Sequence, residues 1–139
     1  MKKFFALVMV FFTGLAFTAC ETMNQDKLIG KWSLQSIDLT EVADGVTTTS
    51  HIDQEGSYIE FLSDGMYIAT ELGEAVSESG KWKLDGDWLV ILDQGTEDER
   101  SYIIKEVTSS KLDLEYHDSY KSSGVEYDLT YVYHYIKIK

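Results

Sequence analysis

The sequence has no proline and a single cysteine, Cys20, and its only arginine is Arg100. Without proline, the tight turns fall to Gly, Asp and Ser, each of which accepts turn geometry for its own reason. With one cysteine, no disulfide can close within the chain. Basic residues are scarce too: 12 Lys and Arg stand against 24 Asp and Glu, a formal charge of −12. Such a surface is repelled by nucleic acid and by anionic headgroups, so neither is an expected partner. No Gly-x-Ser-x-Gly, phosphate loop, dinucleotide fingerprint or aromatic-basic interleaving occurs.

What is present begins with a segment unlike the rest. Lys2 and Lys3 precede an apolar run from Phe4 to Leu15, then Phe17-Thr18-Ala19 and Cys20. A basic start, a short apolar middle and small residues before a break describe a secretory signal peptide over residues 1–19. The run is shorter than the roughly 20 apolar residues a spanning helix needs. A buried thiol, a disulfide partner and a metal ligand are alternative roles for Cys20, but an unpaired exposed thiol is a liability in an oxidising compartment. Residues 20–27 read as a polar tether, and residues 28–139 as one small domain. Without Lys2 and Lys3 the mature chain holds 10 basic and 24 acidic residues, a charge of −14.

The domain reads as short strands at even intervals. Leu28–Ile37, Tyr58–Leu62, Met66–Thr70, the two strands of Gly80–Leu92 folded about Asp85-Gly86, Tyr102–Val107, Leu112–His117 and Tyr127–Lys139 make eight. Their connections are too short for helical crossovers, so neighbours run antiparallel. Eight is also the number at which a meander can close and lose its edges. Asp38–Gln54, rich in Thr, Asp and Gly, reads as a long loop with a weak strand around Val46–Thr49. A two-residue turn at Asp85-Gly86 pairs Trp82 with Leu89 and puts Trp82, Leu84, Leu89 and Ile91 on one face. A two-residue turn at Asp64-Gly65 sets Phe61 opposite Ile68, with Ile59 and Met66 on the same face.

Leu28-x-Gly30-x-Trp32-x-Leu34, Phe61-x-x-Asp64-Gly65-x-Tyr67 and Gly80-x-Trp82-x-Leu84 with Leu89-x-Ile91 resemble, in order and spacing, the bacterial lipocalin-like domain family of small lipoproteins. Tyr102-x-Ile104 and Leu112-x-Leu114 continue the pattern. The resemblance implies an all-β, eight-stranded, up-and-down antiparallel lipocalin-like barrel, following the signal peptide, with an apolar cavity. Ala19-Cys20 resembles a lipobox, with Phe17 where Leu is usual, and implies acylation at Cys20. Two or more acyl chains would anchor the protein stably in the cell envelope, at the outer membrane, without a spanning helix. True lipocalins place an Arg over the opening Trp; here Lys137 or Lys139 would have to serve. Their Thr-Asp-Tyr block and disulfides are absent.

Little points to catalysis, and no cofactor is expected. His51, His117 and His134 read as isolated surface or rim residues: folding the last two strands about Ser122-Ser123 sets His117 opposite Tyr127–Leu129 and His134 opposite Lys111, too far apart to share zinc. Glu97-Asp98-Glu99 with Asp93 lacks the alternating ligands and Gly of a calcium loop. The mature chain has nine Tyr and three Trp but only Phe61. Tyr131, Tyr133 and Tyr135 share one parity of the last strand and either pack the core or form a cavity wall. Trp32, Phe61, Trp82, Leu84, Leu89, Ile91, Leu112 and Leu114 are the expected interior, and Trp32, Phe61, Trp82 and Leu84 the expected ligand contacts. The function these readings give is a non-catalytic, lipid-anchored binder of a small apolar or amphipathic ligand. The alternative is an interaction module of an envelope complex, using the second apolar parity of Trp88, Val90 and Leu92; its protein partner is not named by the sequence.

Overall fold

The computed structural model describes residues 24–71 and 78–139. The expected signal peptide, Cys20, and residues 72–77 lie outside the described residues. A 3₁₀ turn at Gln25–Lys27 occupies the end of the expected tether and leads into β1 (Gly30–Ala43). Then follow β2 (Val46–Asp53), β3 (Tyr58–Phe61), β4 (Met66–Thr70), β5 (Glu78–Asp85), β6 (Trp88–Asp93), β7 (Glu99–Val107), β8 (Lys111–Ser122) and β9 (Val125–Lys137).

Every pairing is antiparallel, and β1 is where the sheet closes. One edge of β1 carries β9; the other carries β3 near its start and β2 along its end. β2 and β3 thus behave as one strand broken at Gln54–Ser57. The break is bridged by Gln54 N–H donating to the Gln35 carbonyl (3.0 Å) and Leu34 N–H donating to that of Ser57 (2.9 Å). β1 and β3 to β9 form a closed eight-stranded barrel, the architecture expected from the sequence. The Asp38–Gln54 stretch is a hairpin: Asp44 (φ 51°) and Gly45 (φ 76°) both take the positive φ of a two-residue type I′ turn.

Turn chemistry corrects the expected registers. At β5–β6 the loop is Gly86-Asp87, with positive φ at Gly86 alone, so Trp82 faces Ile91 and Leu84 faces Leu89. The register moves by two residues, which leaves the predicted face intact. At β3–β4 the loop has three residues, Ser63-Asp64-Gly65, with Gly65 at φ 85°. Phe61 therefore pairs with Tyr67, and Tyr67 faces the interior in place of Met66 and Ile68. At β8–β9 the turn is Ser123-Gly124, so His117 pairs with Thr130 and His134 with Asp113.

One end of the barrel is sealed. Leu28, Trp32, Phe61, Tyr67, Leu89 and Leu112 are wholly buried there or just above, and Phe61 meets Trp82 edge to face at 5.3 Å. Trp32 Nε1–H donates to the Leu28 carbonyl (2.8 Å) and Trp82 Nε1–H to that of Leu62 (3.0 Å), so neither indole is buried with an unmet donor. Lys137 Nζ lies 5.3 Å from the Trp32 ring centroid, the position the resemblance gives to an arginine. The other end is built differently. β7 pairs with β8 only to Glu115, whereas β8–β9, β1–β9 and β1–β2 continue to their hairpin tips. The sheet β2-β1-β9-β8 therefore stands beyond the barrel rim as a four-stranded extension.

A bulge between Leu34 and Ser36 on β1 resets the alternation where the barrel gives way to the extension. Below it Trp32 and Leu34 face inward; above it Ile37, Leu39 and Glu41 do, opposite Tyr133, Tyr131 and Leu129. Ser36, which unbroken alternation would put on the Trp32 face, points outward.

Candidate functional site

At the open end the interior holds a cavity of about 310 Å³. Its floor is aliphatic: Leu34, Ile59, Ile91 and Leu114. Tyr102, Tyr133 and Tyr135 form one wall, and Glu71, Glu78 and Arg100 stand at the mouth. Ordinary strand alternation puts these residues there. Arg100 and Tyr102 share the inward parity of β7 with Ile104, and Tyr133 and Tyr135 share that of β9.

Arg100 is fixed from two sides. Its Nη2 donates to Glu78 Oε1 and Asp93 Oδ1, both at 2.8 Å, while the Tyr67 hydroxyl donates to the same Asp93 oxygen. Among the described residues its buried Nε–H has no partner. Burial opposes Arg100's charge, but Glu78 and Asp93 outweigh that and hold its pKa above the usual value. Burial likewise works against the Asp93 carboxylate, and the hydrogen bonds from Tyr67 and Arg100 bring its pKa below the ordinary range. Burial raises Tyr67, Tyr102 and Tyr135, and pushes Tyr133 up to about 12. Each shift moves the group away from neutral pH, which suits charge and shape recognition better than proton transfer.

The tyrosines continue out of the cavity. Tyr102 lies 6.2 Å from Tyr133 and 5.3 Å from Tyr116; Tyr131 lies 6.2 Å from Tyr133 and 6.4 Å from Tyr116. Near the tip, Tyr120 and Tyr127 stack in parallel at 4.7 Å. A track of rings therefore leads from the cavity along the inner face of the extension.

The outer face of the extension is polar, and two of its histidines are not isolated as the sequence suggested. His51 bonds Asp38 Oδ1 (2.5 Å) and Asp53 Oδ1 (3.1 Å); His134 bonds Asp38 Oδ2 (2.7 Å) and Asp113 Oδ1 (2.8 Å). An imidazole between two carboxylates needs both N–H groups, so this chain of partners favours the charged form. His117 is separate, bonded to Glu115 (2.6 Å). Among the described residues no cluster of three or more His, Cys, Asp or Glu is arranged to hold a metal ion.

Trp32, Phe61, Trp82 and Leu84, the expected ligand contacts, do not line this cavity. The first three are buried at the sealed end and Leu84 packs partly buried against them. Cys20 lies outside the described residues. Of the outer apolar parity, Trp88 is 45% exposed, but Val90 is only 9% exposed, flanked in register by Lys83 and Ser101.

A family model described as a lipocalin-like domain matches residues 28–114. The chain belongs to that family. No curated protein and no solved structure matches it. In this lipocalin-like protein the match runs from the residue that caps the sealed end to Leu114 in the cavity floor, and stops before most of the β8–β9 hairpin. The family's fold is one that generally binds ligands without catalysis.

Sequence reasoning passed over Arg100, Glu78 and Tyr102. A signal was available for two of them, because Arg100 and Tyr102 alternate in step with Ile104 on a strand whose other parity is Ser101 and Ile103.

Proposed function

We propose that this protein is a lipid-anchored component of the cell envelope, at the outer membrane, that binds or carries a small amphipathic ligand in its barrel mouth without chemical turnover. The cavity supports this reading. Its volume is at the lower end of small-molecule pockets, roughly 300–1,000 Å³, and it combines an aliphatic floor and aromatic wall with a few polar groups at the entrance.

Acylation at Cys20 would attach the barrel by its sealed end, because Leu28 packs beside Trp32 there. Cys20 and Asn24 are four residues apart, which allows at most about 14 Å of extended chain. The mouth would then face away from the bilayer.

Native mass spectrometry of the full-length protein purified from membranes, with lipid extraction, tests both halves. Acyl chains on Cys20 and a co-purifying small molecule are the expected result. An unmodified Cys20 would overturn the anchor, and a protein that takes up no amphiphile would overturn carriage. The alternative, an interaction module, draws support from β2, which is exposed throughout its length. A stable protein partner recovered through that strand, with an empty cavity, would favour it.

A further inference from the structure

We infer that the ligand of the barrel mouth is an amphipathic cation, an amine or quaternary ammonium group on an apolar body, with its charge held among the tyrosines of the open end. The inference deepens the carrier reading and rests on it.

Register gives the charge balance of the site. On the inner face of the extension, Glu41 of β1 and Asp118 of β8 both flank Leu129 of β9. Nearer the cavity, Glu71 and Glu78 stand at the mouth. Among the described residues, the one base lining the mouth is Arg100, and it is bound by Glu78 and Asp93 together. Lys137 sits over Trp32 at the sealed end, away from the cavity. Among the described residues, the inner face and mouth of the open end therefore hold Glu41, Asp118, Glu78 and Asp93 against one guanidinium, whose Nη2 is already paired with two of them.

The surroundings suit a positive charge with a greasy body. Aromatic faces carry negative potential and attract cations, by about 0.5–1 kcal/mol at exposed sites and about 2 when desolvated. Tyr102, Tyr116, Tyr131 and Tyr133 form a connected group between the cavity and the two outer carboxylates. An anionic head would meet these carboxylates with only the paired Arg100 in its favour. A neutral ligand would gain the apolar floor and nothing from the acids.

Three probes of one chain length separate the possibilities: hexyltrimethylammonium, hexanol and hexyl sulfate, titrated by calorimetry into the full chain in nanodiscs of neutral lipid, against empty nanodiscs. The cation should bind at least tenfold tighter than either of the others, and the preference should shrink as salt is raised. The double variant Glu41→Gln with Asp118→Asn should lose most of that preference while hexanol binding stays the same, which a mere packing defect would not produce. Equal binding of hexanol and the cation overturns the inference but leaves carriage standing. Tighter binding of hexyl sulfate overturns it in favour of Arg100 as the anchor. If none of the three binds above the empty-nanodisc reference, carriage fails and the inference fails with it.

Discussion

The two ends of the barrel use aromatic residues in opposite ways. At the sealed end, Trp32, Trp82 and Phe61 are enclosed, each indole donor satisfied by a nearby carbonyl, and a lysine covers the opening tryptophan. At the open end the aromatics are tyrosines, half-buried, arranged along strands that have outrun their neighbours. Among the described residues, no strand pairs with the outer edge of β2, and beyond Glu115 β8 pairs with β9 alone. Enclosure makes stability, and an exposed but ordered apolar face leaves something to bind. A domain of this size needs the first before it can sustain the second.

The sharpest break of the comparison is a truncation at each end. Trp32→Ala removes a wholly buried indole and its hydrogen bond to Leu28, and should cost about 3–5 kcal/mol. Tyr120→Ala, at 47% exposure near the tip, should cost about 1 kcal/mol, mostly the stacking with Tyr127. Urea unfolding of the two variants, fitted with a common m-value, reads both. A loss at Tyr120 as large as that at Trp32 would make the extension part of the core.

Next in size is Gly80, where β5 crosses the inner ring of Tyr67. A Cβ there would stand 2.0 Å from the Leu92 carbonyl oxygen and 2.9 Å from Tyr67 Cε1. The first contact is with backbone and cannot be relieved by a rotamer change. Gly80→Ala should therefore destabilise by about 1–3 kcal/mol, as overpacking does. It should also disturb the bond from Tyr67 to Asp93, and with it the anchorage of Arg100. Ligand affinity and stability should fall together in this variant.

The same contrast explains how much could be read in advance. The sealed end was legible because its residues obey one alternation after another: Trp82 and Leu84 stay with Leu89 and Ile91 even though the turn sits one residue later than Asp85-Gly86 suggests. A shift of two leaves a face unchanged. Tyr67 was lost because a three-residue loop changes the register by one, which exchanges the faces. The open end depends on such irregularities. The bulge beside Gln35 and the break at Gln54–Ser57 carry β1 and β2 out of the barrel, and neither has a marker in composition. The β1–β2 hairpin did have one, Asp44-Gly45 followed by Val46 and three threonines, in a stretch that reads otherwise as loop. The acylation site is a matter of chemistry at Cys20, beyond what strand pattern can reach.

A smaller effect should separate the ends by pH. His134 is partly buried, which lowers its pKa, but the hydrogen bonds it donates to Asp113 and Asp38 outweigh this and raise it; Asp38 and Asp53 raise that of His51. A histidine with a raised folded pKa contributes stability fully present below its free value of about 6.5, and loses it as pH rises through the folded value. Asp38, lowered by both histidines, contributes above its free value of about 3.9 and loses that as pH falls through the lowered one. The extension should thus be tightest from about pH 4 to 6.5. Above that range, amide exchange in β2 and the outer half of β1, corrected for intrinsic rates, should accelerate by up to about tenfold for each unit of raised pKa. Amides around Trp32 and Trp82 should not respond. Equal acceleration at both ends would mean that the His–Asp chain braces the whole barrel.

The smallest expected effect concerns the outer wall. Trp88 stands 45% exposed at the start of β6, paired with Asp85 and Ile103, while Val90 on the same face is covered. One exposed ring is within the ordinary make-up of a protein surface and does not by itself form an interaction patch. Trp88→Thr keeps a residue suited to a strand and should change stability by about 0.5 kcal/mol or less. It should leave probe binding at the mouth untouched, because Trp88 faces away from the cavity and lies at the sealed end. If this substitution instead abolishes recovery of an envelope partner from intact cells, the working surface of the protein is its outer wall, and the contrast between the two ends describes stability alone.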